Sequence, residues 1–254
     1  MKFNLDYFMK NFIQNICDAI SRIIYRLTPH EFRKRKLNEY SVMDMYVLEE
    51  REKCYNHFKK YFKNSMLMAV PTLRNYAIKQ AIKDETKAND YTYLEFGVYK
   101  GDTANFFSKY VNKLYAFDSF EGLREDWVGW QDPAGTFNLD KKVPKLNANV
   151  TPIVGWVQDT LDNFLEEKKP KINFVHMDMD TYETSKFILT KIKPYLNNDA
   201  IILFDDLWWY PGWDVGEYKA LKEVFNDDEY EFKAFAVYGE QVVIKLNLKN
   251  IVTP

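Results

Sequence analysis

Three groups of residues in this chain have the types and spacing to do chemistry. The first is Glu95-Phe96-Gly97-Val98-Tyr99-Lys100-Gly101, an acid followed by two spaced glycines. Gly97 lets a chain reverse sharply after a strand, and Gly101 lets the next helix pack close to a sheet and to a ligand. The second is Asp118, which ends the following apolar run, Lys113–Asp118. The third is His176-Met177-Asp178-Met179-Asp180 together with Asp205-Asp206. Carboxylates crowded at one sheet edge repel, so one stays protonated unless a cation joins them. Hard oxygen ligands point to Mg²⁺ or a similar divalent ion; the plainer reading is that some of these acids cap helices. No G-x-x-x-x-G-K-[ST] phosphate loop is present.

An acid at the position of Asp118 can accept hydrogen bonds from ribose hydroxyls. That serves NAD and S-adenosylmethionine equally, so it indicates an adenosine ligand without choosing one.

The elements that must position these groups alternate. Tyr91–Gly97, Lys113–Asp118, Val150–Trp156, Ile172–Asp178 and Ala200–Asp206 read as strands. Helices are expected over 102–110, 159–167, 183–193 and 215–226, and Tyr230–Tyr238 with Gln241–Leu246 forms a hairpin across Gly239-Glu240. The pattern predicts an α/β, Rossmann-like fold: a seven-stranded, mostly parallel, doubly wound sheet with a C-terminal antiparallel hairpin. Ligands on such sheets bind beyond the carboxyl ends of the strands. Glu95, Asp118, Trp156, Asp178, Asp205 and Asp206 fall there, and acids have little β propensity of their own.

Upstream, none of the nine glycines precedes Gly97, which suits a helical N-terminal region. Phe8, Phe12, Ile16, Ile20, Ile23 and Leu27 form an apolar stripe at helical spacing that ends before Pro29, and the basic run Arg33-Lys34-Arg35-Lys36 follows. Such a helix packs on its own domain or on a second subunit, making a homo-oligomer; the alternative is contact with an anionic membrane surface. Further helices are expected over 42–65 and 72–83. Residues 1–65 read as a helical extension and 66–254 as the chemical domain.

Composition narrows the class. The chain has 254 residues, 46% hydrophobic and 17% aromatic, which is globular rather than disordered. A net charge of −2 gives no reason to expect nucleic acid as a partner. Cys17 and Cys54 form no CxxC pair, so free thiols and a cytoplasmic location are expected. No apolar run approaches the roughly 18 residues of a membrane-spanning helix, and the N-terminus lacks a secretion-signal pattern.

Asp118-Ser119-Phe120-Glu121-Gly122-Leu123, Asp178-Met179-Asp180-Thr181-Tyr182-Glu183-Thr184-Ser185 and Phe204-Asp205-Asp206 resemble the macrocin O-methyltransferase family. Gly155-Trp156-Val157-Gln158-Asp159-Thr160-Leu161 and Gly216-Glu217-Tyr218-Lys219-Ala220 fit the same pattern, and the likeness runs from about residue 66 to 246. The resemblance implies a class I, S-adenosylmethionine-dependent O-methyltransferase, assisted by Mg²⁺ or a similar cation and acting on a hydroxyl of a sugar, glycan or natural product. It implies that Glu95, Gly97 and Gly101 hold the methionine part of the cofactor, with Tyr99, Thr103 and Ser119 in the same turns. Asp118 would hold the ribose, and Gln158 or Asp159 would lie near the adenine. Asp178, Asp205 and Asp206 would be the metal ligands and the catalytic acids, Asp178 also facing the cofactor. Where many methyltransferases have a central glycine, this chain has Tyr99, whose side chain must point away from the cofactor or over it.

The general base is open among His176, Asp180 and Glu217. Trp208, Trp209 and Tyr210 are expected to shape the acceptor pocket, and the long segment 122–149, with Trp127, Trp130 and Phe137, to act as a lid. Two other readings stand beside this one. An NAD-dependent oxidoreductase would use Gly97, Gly101 and Asp118 but leave the carboxylates without a task. A non-catalytic binding protein would keep the fold and work through its helical arm.

Overall fold

The computed structural model describes residues 41–82, 90–130 and 132–248. The expected amphipathic helix from Phe8 to Leu27, the basic run at Arg33 to Lys36, and Cys17 lie outside them. The chain divides into two compact units, 1–48 and 49–254. Of the first, the described residues open helix α1 (Val42–Phe58). Ser41 and Asp44 cap it reciprocally: Asp44 N–H donates to Ser41 Oγ at 3.1 Å, and Ser41 N–H to Asp44 Oδ2 at 2.9 Å. The helix stops at Phe58 rather than running on to residue 65, because the chain turns over 59–64 to enter a strand.

The second unit holds one sheet. Its strands are β1 (Met66–Met68), β2 (Thr92–Phe96), β3 (Leu114–Asp118), β4 (Val150–Val154), β5 (Ile172–Met177), β6 (Leu196–Phe204), β7 (Tyr230–Ala236) and β8 (Val242–Leu246). They lie in the order β1-β7-β8-β6-β5-β2-β3-β4. Only β8 among these runs against its neighbours, so the mostly parallel sheet with a terminal antiparallel hairpin is as expected. The eighth strand, β1, is an addition to the seven expected; it pairs parallel with β7 at the sheet edge. Strand β6 also starts earlier than Ala200, at Leu196; its pairing with β5 is irregular between Leu196 and Ile201, where Asp199 takes a left-handed φ of +71°.

Helices α2 (Val70–Ala81), α3 (Asp102–Phe107), α4 (Val157–Lys168), α5 (Tyr182–Ile192) and α6 (Glu217–Val224) link the strands. Residues alternate across the strands, so each sheet face has its own core. Leu94, Phe96, Val175, Met177, Ile202 and Phe204 pack with Leu161, Ile188 and Leu221 of α4, α5 and α6. Tyr93, Phe174, Ile201 and Leu203 pack with Leu73, Ile78 and Phe107 of α2 and α3. Strand order reverses between β2 and β5, and a crevice opens at the carboxyl ends of strands at such a switch point. No helix of the described residues is long and apolar enough to cross a membrane.

Candidate active site

A cleft opens at that switch point. Gly97 and Tyr99 line it from β2, Asp118 and Ser119 from β3, Trp156 and Gln158 from beyond β4, and Asp178 from beyond β5. Gly97 has φ +86°, and a Cβ there would stand 1.8 Å from the carbonyl oxygen of Asp178. The turn after β2 therefore lies directly against the turn after β5, and only glycine allows it. Tyr99 also has positive φ, at +47°. Its ring meets Phe137 edge-to-face with centroids 5.3 Å apart, and both line the cleft. The side chain thus points over the cleft mouth rather than away from it.

Asp118 ties two turns together. Its Oδ2 accepts from the backbone N–H groups of Val98 and Tyr99, each at 2.8 Å, and its Oδ1 from Phe120 N–H at 2.7 Å. These are charge-assisted bonds to a carboxylate that still faces the cleft. On the far wall Gln158 donates weakly to Thr184 Oγ1 at 3.5 Å, and its own Oε1 is buried without a protein donor. Such an orphaned acceptor beside a cleft is a ready partner for a ligand N–H. The guanidinium of Arg124 stands 5.8 Å over the Trp156 ring on the same side. Arg124 is one of the cleft residues the sequence did not single out, since an arginine inside a long loop carries no pattern.

The acids gather beside this cleft. Fully buried His176 lies opposite Glu95 in the β2–β5 pairing. Its Nδ1 is hydrogen-bonded to Glu95 Oε1 at 3.0 Å and its Nε2 to Asp205 Oδ1 at 3.2 Å. Burial alone would lower the pKa of His176, but the Asp205 and Glu95 carboxylates raise it to about 10. Asp205 also takes Arg74 at 3.4 Å and the Gln241 side-chain amide. Burial works to raise its pKa, but His176 and Arg74 bring it below the usual carboxylate value.

Two sets of ligand atoms lie within 4.8 Å of one another: His176, Asp178 and Asp205, and Asp178, Asp180 and Asp206. The three acids expected as one ligand set are thus spread over two groups that share Asp178. Desolvation and the charge of Asp205 push Asp178 well above the ordinary range; desolvation and Asp180 do the same to Asp206. Asp180 rises to about 7 and Glu217 to about 8, desolvation being the first cause of each. Glu217 is fully buried and accepts from Asp206 N–H at 3.2 Å and Met179 N–H at 3.4 Å, so it joins the two acid-bearing loops.

Several expected residues are placed differently. Glu95 does not reach the cleft: its carboxylate is fully buried against His176, an inward-facing site that β2–β5 pairing dictates. Neither Gly101 nor Thr103 lines the cleft: a Cβ on Gly101 would meet Leu146 at 2.6 Å, and Thr103 is buried on α3. Asp159 is exposed on the first turn of α4, away from the cleft lining. Trp208 and Tyr210, expected at the acceptor pocket, are 6% and 0% exposed and belong to the core. Trp209 alone of that run is half-buried, with left-handed φ +68°, held by its N–H on Cys54 Sγ and its carbonyl on Arg51 Nε. Cys54 is a buried free thiol. In the segment read as a lid, Phe137 reaches the cleft, whereas Gly129 lies backbone-to-backbone on Pro211 and docks the segment on the aromatic run.

The fold and this layout define the class: an α/β protein with the Rossmann-like fold of class I methyltransferases. Residues 94–207 match a family described as "Methyltransferase domain". No curated protein sequence matches the chain significantly. Among solved structures, one described as "CalS11, Calicheamicin Methyltransferase" is 19% identical, with a TM-score of 0.53, covering 84% of this chain and 95% of that one. The "O-methyltransferase NovP" is 18% identical, with a TM-score of 0.50, covering 68% of this chain and 79% of that one.

Proposed function

We propose that this chain is an S-adenosylmethionine-dependent O-methyltransferase, assisted by a divalent cation, acting on a hydroxyl of a sugar, glycan or natural product. The observation that carries the proposal is the position of Asp178. It lines the cleft and belongs to both groups of acids, so a ligand in the cleft lies beside the cluster. The catalytic machinery lies in residues 66–254 in this reading, and residues 1–65 precede it as a helical extension.

S-adenosylmethionine supplies a methyl group on a positively charged sulfur, so the protein needs no nucleophile. What the chain contributes is placement. Gly97 permits close backbone approach, Asp118 faces the ribose, Gln158 Oε1 awaits the adenine amino group, and Tyr99 with Ser119 completes the wall. The acid cluster fits a hard divalent cation, because buried carboxylates driven above their usual pKa are relieved by positive charge. Asp178 would hold it, together with Asp205 of the one group or Asp206 of the other. Such a cation supplies the charge that makes an acceptor hydroxyl more acidic. The names of the two solved relatives accord with a hydroxyl acceptor on a small molecule.

The test is methyl transfer to a panel of sugar hydroxyls with Asp205→Ala and wild type, each with and without chelator. Loss of cation-stimulated transfer in the variant, with S-adenosylmethionine binding kept, supports the assignment. Full activity in chelator removes the cation's role.

A further inference from the structure

The Glu95–His176–Asp205 chain has a geometry that neither a cofactor ligand nor a general base requires. Glu95 and His176 are both fully buried, and their side chains meet at 3.0 Å across directly paired positions of β2 and β5. Alternation along β6 puts Asp205 on the side of Ile201 and Leu203, next to His176. The ring is held at both nitrogens between two carboxyl groups, so each nitrogen already has a protein partner. Phe107 packs against the same ring with centroids 5.0 Å apart, and Asp205 is fixed from the other side by Arg74 and Gln241.

We infer that Glu95 and His176 are positioning residues for Asp205: a buried ladder across β2, β5 and the end of β6 fixes the orientation of an acid on the cation side. This rests on the reading of Asp205 as a cation ligand. Partners that orient a metal ligand typically change metal affinity by about 10- to 100-fold. The first-turn acid then serves the acid cluster, and the cofactor is held by the other cleft residues.

The experiment is calorimetry on the full chain with two probes, Mn²⁺ alone and S-adenosylhomocysteine alone. The variants are Glu95→Gln and His176→Gln, the second keeping a donor toward Asp205 should the first fail to fold. The ladder predicts an Mn²⁺ Kd at least tenfold higher in Glu95→Gln and an S-adenosylhomocysteine Kd within about twofold of wild type. His176→Gln, with its donor in place, should fall between Glu95→Gln and wild type for Mn²⁺, a graded rescue that a purely structural role would not give. A tenfold loss of S-adenosylhomocysteine binding in Glu95→Gln, with Mn²⁺ unchanged, makes Glu95 a cofactor ligand and overturns the inference. Variants that bind both probes as wild type does overturn it too. A wild-type protein that binds no Mn²⁺ overturns the cation reading and the inference together, and is told apart from failure of the ladder alone, in which wild type binds Mn²⁺.

Discussion

Gly97 and Asp178 meet backbone to backbone, with the absent Cβ of Gly97 projected 1.8 Å from the Asp178 carbonyl oxygen. The contact locks the turn after β2 against the turn after β5, and Asp178 N–H donates to Phe96 O at 2.9 Å beside it. Replacing Gly97 by alanine adds both a clash with main chain and a left-handed φ of +86° for a residue with a Cβ. Gly97→Ala is therefore expected to lower stability by about 2–4 kcal/mol in urea unfolding. A loss below about 0.5 kcal/mol would mean the two turns can separate freely.

Asp118 is expected to serve fold and ligand together. Asp118→Asn puts an amide N–H₂ where backbone N–H groups now point at an acceptor, so one or two of its three bonds are lost. Losing charge-assisted bonds of this kind costs about 2–4 kcal/mol. Denaturation should show that loss, and S-adenosylhomocysteine should bind at least about tenfold more weakly. An Asn variant of wild-type stability would contradict the hydrogen bonding described.

The orphaned oxygen of Gln158 separates the two effects. Gln158→Leu removes a buried acceptor that has no protein donor, so the unliganded protein should keep or slightly gain stability. Affinity for S-adenosylhomocysteine should fall about tenfold, or about 1.4 kcal/mol. Equal affinity in the variant would take Gln158 out of the cofactor site.

Buried acids make stability depend on pH in a definite direction. Asp180 and Glu217, raised by desolvation first, have pKa values of about 7 and about 8 in the folded chain. The unfolded chain loses these protons near pH 4, so the native state binds more protons between about pH 4 and 8. Their stabilising effect is complete below about pH 4 and is lost as pH rises through about 7 and 8. In chelator, melting temperature should fall by several degrees from about pH 6 to about pH 8.5, and Mg²⁺ should restore most of it at the higher pH. A flat or rising profile in chelator would show that these carboxylates are not crowded.

Much of the fold could be read from residue order. Glycine turns, apolar runs and acids at strand ends placed the five central parallel strands and the final hairpin, because each has a period or punctuation of its own. Met66–Met68 had none: three residues cannot show alternation, and pairing with β7 alone makes them a strand. The inward direction of Glu95 was equally hidden. Its partner, His176, is 81 positions later in the chain and becomes its neighbour only through β2–β5 pairing. Trp208 and Tyr210 look the same in sequence whether they line a pocket or fill a core; Gly129 on Pro211, and Trp130 stacked on Tyr210, decide for the core. The same limit applies to Arg74 and Gln241, which reach Asp205 from elements far from the motif acids.

The central claim is that the cleft beside Asp178 takes the adenosine and methionine parts of S-adenosylmethionine. Calorimetric titration of the wild-type chain with S-adenosylmethionine, S-adenosylhomocysteine and NAD tests it most directly. The account predicts one site for each of the first two ligands, with Kd in the micromolar range, and no heat of binding for NAD. Binding of NAD with no binding of either methionine nucleoside would contradict it.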